Sequence, residues 1–178
     1  MTRAVALIRG VNVGGRSMLP MAELRAALSK RGFGDAQTYL QSGNVVLEPG
    51  TVRLPDLAAA LEAAIAEDFG LEVRVMTRTR KELVAVAGAH PFRGDHFDPS
   101  LLHVVFLEKA PAAAKLAVLD PDRSPPDRFE VHGREIYLSY PNGQGRSKLN
   151  LDYFERVLGT AGTARNWNTV TKLLEMVR

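Results

Sequence analysis

The chain contains no cysteine among its 178 residues. This absence excludes a disulfide framework, a thiolate nucleophile, an iron–sulfur cluster and a cysteine zinc site. Long apolar runs are missing too: the stretch at residues 4–8 is too short for a secretory signal, and no later stretch reaches the length of a membrane span. We therefore expect a cytoplasmic protein, and nothing in its composition implies a cofactor.

The excess of one charge sign over the other is also small. The chain carries 23 lysine and arginine residues against 20 aspartate and glutamate residues, a formal net charge of +3. Residues 1–77 are balanced at 8 basic and 8 acidic side chains, whereas residues 146–178 hold 6 basic and 3 acidic ones. A groove that follows a nucleic-acid backbone usually needs more cationic contacts than this. The charge favours a local anion site and leaves nucleic acid as a weakly supported partner.

Apolar periodicity and turn signals predict the secondary structure of the first half. Ser42-Gly43-Asn44 predicts a hairpin, because glycine and asparagine tolerate the positive φ of tight turns. Apolar residues at a spacing of three to four predict helices between the strands. The predicted strands are residues 4–8, 38–41, 45–48 and 71–77, and the predicted helices are residues 20–31 and 55–69.

The second half repeats this order after a connecting helix at residues 78–89 and a loop at residues 90–99. The predicted strands are residues 101–107, 128–131, 135–139 and 163–167, and the predicted helices are residues 110–118, 149–158 and 169–177. We therefore predict an α+β fold of two tandem ferredoxin-like βαββαβ units, with antiparallel sheets and an extra C-terminal helix. The predicted divisions are an N-terminal unit at 1–77, a connection at 78–100 and a C-terminal unit at 101–178.

Five segments spread over nearly the whole chain carry a family resemblance. They read RGVNVGG at 9–15, PMAEL at 20–24, TYLQSGNVV at 38–46, SKL at 147–149 and TARNWNT at 163–169. This combination is similar to the bacterial family known as domain of unknown function 1697. The resemblance implies a duplicated ferredoxin-like architecture. It implies no reaction, so the catalytic residues stay unknown.

The glycine-bearing loop after the first predicted strand is one candidate anion site. In a ferredoxin-like unit this loop lies at the same end of the sheet as the hairpin between the second and third strands. Glycines let backbone N–H groups turn toward a ligand, and arginine supplies the counter-charge. The spacing matches neither a Walker A loop nor a dinucleotide fingerprint. The predicted ligand contacts are Arg9, Asn12, Gly14, Gly15, Ser42 and Asn44, with Arg16 and Gln41 nearby.

Three interpretations of this loop stay open. The first is simple anion binding. The second is phosphoryl hydrolysis, because an arginine-bearing loop beside an asparagine resembles the active site of acylphosphatases, which share the ferredoxin-like fold. The third is structural, with Gly10, Gly14 and Gly15 forming a tight turn and Asn12 bonding the backbone.

A second candidate site surrounds the only tryptophan. The loop at residues 140–148 is expected to leave the same end of the second sheet as the last strand, so the two segments should meet. Arginine, lysine and short polar groups suit a phosphate or carboxylate, and the indole can stack on a ring. The predicted contacts are Arg146, Ser147, Lys148, Arg165, Asn166, Trp167 and Asn168.

Structural roles compete at this second site as well. Trp167 can pack under the terminal helix while Asn166 and Asn168 cap it, or the segment can form a dimer interface. A Ser147–Lys148 nucleophile pair is disfavoured, because neighbouring residues at a helix start point in different directions.

Histidines and aspartates also cluster in the loop at residues 90–99. A turn anchored by Phe92, with solvated aspartates, explains this cluster better than a metal site, because no second helix-spaced pair supports it. We therefore predict no metal site. The residues concerned are His90, Asp95, His96 and Asp98.

These patterns indicate an uncharacterised protein that binds a small anionic or phosphate-bearing ligand. The alternatives are an acylphosphatase-like hydrolase at the loop of Arg9 to Gly15, a nucleic-acid-binding module or a self-associating structural protein. The sequence decides neither between binding and turnover nor on the oligomeric state.

Overall fold

Two four-stranded antiparallel sheets organise the chain in a computed structural model, which describes residues 3–94 and 98–178. The chain divides into two compact units. The first comprises Met1–Ala85 with Lys172–Arg178, and the second comprises Val86–Thr171. We call them the N-terminal unit and the C-terminal unit. The boundaries inferred from the sequence, after residues 77 and 100, stay a prediction.

The N-terminal unit alternates strands and helices in the predicted order. Its sheet has the strand order β2-β3-β1-β4, and every neighbouring pair is antiparallel. The elements are β1 (Ala4–Ile8), α1 (Met21–Lys30), β2 (Gly34–Tyr39), β3 (Asn44–Glu48), a 3-10 turn (Leu54–Asp56), α2 (Leu57–Phe69) and β4 (Val75–Thr79). Helix α3 (Arg80–Ala89) follows directly.

The core of the N-terminal unit lies between one face of its sheet and the two helices. Ala4, Ala6 and Ile8 alternate along β1 and share this core with the apolar stripes of α1 and α2. The stripe residues include Leu24, Leu28, Leu57, Leu61 and Ile65. The spacing of Leu57, Leu61 and Ile65, which predicted α2, therefore marks the buried face of this helix.

The C-terminal unit repeats this arrangement with the strand order β6-β7-β5-β8, again antiparallel throughout. Its elements are a 3-10 turn (Pro99–Leu101), β5 (Leu102–Leu107), α4 (Ala113–Leu116), β6 (Arg128–His132), β7 (Glu135–Ser139), α5 (Leu151–Leu158), β8 (Gly162–Asn166) and α6 (Trp167–Met176). Its helix-side core contains Val105, Leu107, Leu138, Phe154 and Leu158.

Four predicted elements differ clearly from the structure. The second strand was expected at residues 38–41, but it spans Gly34–Tyr39. The fourth strand was expected at residues 71–77, but pairing with β1 shifts it to Val75–Thr79. The helix predicted at 110–118 is reduced to Ala113–Leu116. Trp167 was expected on the last strand, yet it opens α6, because the side chain of Asn166 accepts the Asn168 N–H at 2.9 Å and so caps a helix there.

Among the described residues, no helix has both the length and the apolar character required to cross a bilayer.

Candidate functional site

The loop between β1 and α1 is held in place by the side chain of Asn12. Its Nδ2 donates to the carbonyl of Leu19 at 2.9 Å and to that of Gln41 at 2.7 Å, while its Oδ1 accepts the Leu19 N–H at 2.7 Å. The loop therefore lies beside the β2–β3 turn, as predicted. Both amide N–H groups of Asn12 are used by backbone carbonyls, which supports the structural interpretation of this residue.

Asn44 and Gly43 stabilise the β2–β3 turn and its contact with the loop. Asn44 is fully buried, and its Nδ2 donates to the carbonyl of Tyr39 at 2.8 Å and to Oγ of Ser42 at 2.9 Å. Gly43 has a φ of +80°, and a Cβ there would lie 2.7 Å from the side chain of Val11. Glycine is therefore required for the close approach of the turn to the loop.

The remaining predicted contacts of the N-terminal site lie near the surface. Arg9 is half-buried and lines an open cleft of about 360 Å³ with Gly10, Ser17 and Arg74. Gly14 and Gly15 are exposed at the tip of the loop, where the Arg16 N–H bonds the Val13 carbonyl at 3.1 Å. The assignment of these residues to a ligand stays a prediction.

In the C-terminal unit, Arg165 points into the protein. Only 7% of the residue is exposed, and its Nη1 donates to Oγ1 of Thr163 at 2.7 Å and to the carbonyl of Ala164 at 2.8 Å. Burial lowers the pKa of Arg165 to about 10, because the interior disfavours the charged form. The guanidinium therefore forms hydrogen bonds within the C-terminal unit.

Trp167 is also an internal residue. Only 3% of it is exposed, and its ring packs edge-to-face on His90 at a centroid distance of 4.7 Å. The guanidinium of Arg93 lies 5.8 Å from the indole centroid. The predicted packing role of Trp167 therefore fits its position, and in this structure the indole has no open face for a ligand ring.

The two segments expected to meet around Trp167 are separated by a strand. Both emerge at the same end of the sheet, because the Tyr140 N–H bonds the Leu101 carbonyl and the Asn166 side chain bonds the Ser100 carbonyl. However, β5 lies between β7 and β8, and this places the two carrying strands about 10 Å apart. Reasoning from strand direction found the correct end of the sheet but not the intervening strand.

The loop at residues 140–148 instead meets the segment that precedes β6. Ser124 is the centre of this contact: its Oγ accepts the Lys148 N–H at 3.1 Å and donates to Oδ2 of Asp127 at 3.0 Å, and it lies 3.5 Å from Oγ of Ser147. The Asp127 N–H bonds the Ser124 carbonyl at 2.8 Å and closes a turn. Sequence reasoning missed these two residues, although Ser-Pro-Pro-Asp at 124–127 is a recognisable turn signal.

A cleft of about 460 Å³ opens between these two segments. It is lined by Ser124, Asp127, Asn142, Gly145, Arg146 and Ser147, together with Pro125, Pro126 and Gly143. Arg146 is exposed, and its side chain has no hydrogen-bond or ion-pair partner within the described part of the chain. The cleft therefore presents an available cation beside hydroxyl, amide and backbone groups.

Asp127 contributes the opposite charge to the same cleft. It is 8% exposed, and among the described residues it forms no ion pair with Arg146 within 4.0 Å. Burial and the neighbouring Asp127 together hold the pKa of Tyr140 above its usual range, and the phenol of Tyr140 donates to the Leu149 carbonyl at 2.7 Å.

Lys148 and Asn168 lie outside this cleft. The backbone of Lys148 is fixed by Ser124 and by Nε of Arg123, which donates to its carbonyl at 3.0 Å, while its side chain is exposed. Asn168 is exposed, and its carbonyl accepts the hydroxyl of Thr171 at 3.0 Å. Of the seven residues predicted for the C-terminal site, Arg146 and Ser147 therefore share the cleft, while the tryptophan segment lies elsewhere.

The histidine-rich loop can be described only in part, because Asp95 and His96 lie outside the described residues. His90 is 4% exposed and packs between the rings of Trp167 and Tyr137, and burial lowers its pKa to about 4. The carboxylate of Asp98 accepts the backbone N–H of Ser100 at 2.8 Å and its hydroxyl at 2.6 Å. Both residues have structural roles.

Comparisons with known proteins agree with this fold. The family model described as "Protein of unknown function (DUF1697)" matches residues 1–137, so the chain belongs to that family. The solved structure of a conserved bacterial protein, SP0830 from Streptococcus pneumoniae, superposes with a TM-score of 0.78 at 22% identity and covers 99% of both chains. No curated protein matches the chain. The similarity supports the fold, and the function stays unknown.

Proposed function

We propose that this member of the DUF1697 family binds a small anion, such as a phosphate group, in the cleft of the C-terminal unit. The observation that carries the proposal is the available guanidinium of Arg146 at a cleft that also contains a hydroxyl, an amide and glycine backbone. A guanidinium offers several N–H donors in a planar fork that matches phosphate oxygens. Ser147, Asn142 and the N–H of Gly145 add neutral donors.

The construction of the cleft supports this proposal. The hydroxyl of Ser124 and the backbone of Lys148 hold the two walls together, so that a ligand meets a prearranged surface. Asn150 caps α5 by accepting the Tyr153 N–H at 3.0 Å, and this anchors the end of the loop. Prearranged donors lose less conformational entropy when an anion binds.

Titration calorimetry with inorganic phosphate tests the proposal. We expect Arg146→Ala to weaken phosphate binding by about tenfold, the loss of roughly one charge-assisted hydrogen bond. The matched control is Lys115→Ala, which removes one exposed positive charge from α4 of the same unit, outside the cleft. Equal loss in both variants indicates a nonspecific charge effect and contradicts the proposed site.

A second proposal concerns the N-terminal unit. An acylphosphatase-like reaction at the loop of Arg9 to Gly15 is supported by the cleft that Arg9, Gly10, Ser17 and Arg74 line. It is weakened by the amides of Asn12 and Asn44, since these are occupied by backbone and hydroxyl groups. Turnover of acetyl phosphate that disappears in Arg9→Ala supports hydrolysis, and turnover that is absent or unchanged in this variant contradicts it.

We also infer that each unit is ferredoxin-like. The strand orders β2-β3-β1-β4 and β6-β7-β5-β8, with antiparallel neighbours throughout, support this inference.

A further inference from the structure

The cleft of the C-terminal unit holds two opposite charges that do not pair with each other. Arg146 and Asp127 both line it, yet no nitrogen–oxygen distance between them falls within 4.0 Å in the described structure. Opposite charges in one cleft normally gain by direct contact. Here the turn at residues 124–127 holds the carboxylate, while the guanidinium stays on the loop.

The carboxylate of Asp127 is fixed and only partly used. Its Oδ2 accepts the Ser124 hydroxyl at 3.0 Å, and its backbone N–H closes the turn. No other hydrogen bond to this carboxylate is found within the described residues. Its oxygens are also not among the side-chain atoms that are both buried and without a hydrogen-bond partner. One acceptor oxygen therefore remains available to a group inside the cleft.

From this geometry we propose that the ligand is bipolar, with a phosphate group at one end and a primary ammonium group at the other. The phosphate contacts Arg146 and Ser147, and the ammonium donates to Asp127. This inference rests on the proposed anion site and deepens it, because the carboxylate weakens the binding of a simple anion but attracts a ligand that also carries an ammonium group. An ammonium group would supply the cationic partner that this carboxylate lacks among the described residues.

The cleft volume of about 460 Å³ is in the range of small-molecule sites and leaves room for a short chain between the two charged groups. O-phosphoethanolamine is the simplest probe with this chemistry. Propyl phosphate is its matched control, because a methyl group replaces the ammonium on the same skeleton. Inorganic phosphate reports on the anion end alone.

Titration calorimetry of the wild-type protein with the three probes tests the inference without any substitution. We expect O-phosphoethanolamine to bind at least about tenfold more tightly than propyl phosphate, the effect of about one charge-assisted hydrogen bond. If propyl phosphate binds equally well, the bipolar ligand is wrong and the anion site stands. If no probe binds at about 10 mM, both proposals are wrong.

Two aspartate variants assign the preference to a residue. Asp127→Asn should bring the two organic probes to within about twofold of each other and should strengthen binding of inorganic phosphate, because a repelling charge is lost. Asp122→Asn, an exposed residue of the same segment outside the cleft, should keep the preference. A preference that survives in Asp127→Asn overturns the assignment. Circular dichroism verifies that the variants are folded. If Asp127→Asn unfolds, the comparison of the three probes on the wild-type protein tests the inference.

The same chemistry occurs in free phosphorylated amines and in lipid headgroups. Co-sedimentation with phosphatidylethanolamine vesicles, against phosphatidylcholine vesicles as the control, separates these sources. Binding to the first vesicles that requires Asp127 supports the headgroup. Binding of free O-phosphoethanolamine without vesicle binding supports a soluble ligand.

Discussion

The two units use the same strand order but differ at their loops. In the N-terminal unit the loop after β1 is satisfied internally, because Asn12 bonds the backbone at Leu19 and Gln41. In the C-terminal unit the loop after β7 is fixed by Ser124, which lies in a different segment, and the side chain of Arg146 on this loop has no partner among the described residues. The candidate contacts therefore lie at different positions in the two units, after the first strand of one and after the third strand of the other, whereas features that support the sheet recur.

The ends of the last strands show what recurs. Arg78 on β4 and Arg165 on β8 are both buried, and each donates from Nη1 to the carbonyl of the preceding residue at 2.8 Å. A capping residue follows each arginine. Oγ1 of Thr79 accepts the Glu82 N–H at 3.2 Å, and Oδ1 of Asn166 accepts the Asn168 N–H. Both units therefore share the same kind of strand end and helix start.

The residue after the cap differs between the two units, and its substitution is expected to have the largest effect on stability. Trp167 is buried against His90, whereas Arg80 is exposed at the start of α3. We expect Trp167→Ala to lower the free energy of unfolding by about 3–5 kcal/mol, because the substitution removes buried apolar contacts and leaves a cavity that neighbouring side chains fill only in part. Arg80→Ala should change it by about 0.5 kcal/mol or less. Urea denaturation measures both, and similar losses would contradict the packing role of Trp167.

Acid should affect the C-terminal unit more than the N-terminal unit, because every histidine follows residue 89. Burial lowers the pKa of both His90 and His103 from 6.5 to about 4. Well above pH 6.5 the imidazoles are neutral in both the folded and the unfolded state, and their contribution to stability is fully present. Between these values the unfolded chain binds protons that the folded chain does not, so stability falls as the pH is lowered.

We expect this loss to reach up to about 3 kcal/mol per histidine as the pH falls to 4. Denaturation curves at several pH values measure it. His103→Gln should reduce the acid-dependent loss of stability relative to the wild type. A free energy of unfolding that stays constant from pH 7 to about pH 5 would contradict buried neutral histidines.

Substitutions in the turns of the two hairpins are expected to have the smallest effect on stability. The β2–β3 turn places Leu40 at a φ of +58°, whereas the β6–β7 turn places Gly133 at +60°. A leucine is strained in this region and glycine is not. We expect Leu40→Gly to raise the free energy of unfolding by about 0.5–1 kcal/mol, and Gly133→Ala to lower it by a similar amount. Thermal unfolding measures both, and a destabilising Leu40→Gly would show that the exposed leucine has an unrecognised contact.

Most of the fold could be predicted from local patterns. Leucine spacing placed α2, and the turn signal at residues 42–44 placed the first hairpin next to the loop of Asn12. The start of β4 was misplaced, because its register depends on pairing with β1, which no local pattern encodes. Trp167 was assigned to a strand for a related reason: a polar cap and a strand end look alike in sequence.

The candidate site was less predictable. Arg146 and Ser147 stood out as a polar loop, but their partners Ser124 and Asp127 lie about 20 residues earlier in the chain. Arg165 looked available as an isolated cation, yet it is buried and bonded to its own strand. Residue type indicates which side chains can bind an anion, and only packing decides which of them face solvent.

The sequence by itself determined the α+β class, the duplicated order of elements and the exclusion of cysteine chemistry, because these depend on periodicity and composition. The tertiary structure alone decided that β5 separates the tryptophan segment from the loop of Arg146, and that Asp127 faces the same cleft as this arginine. Strand order and side-chain burial arise from contacts between distant residues, and such contacts leave little local signal in a single chain.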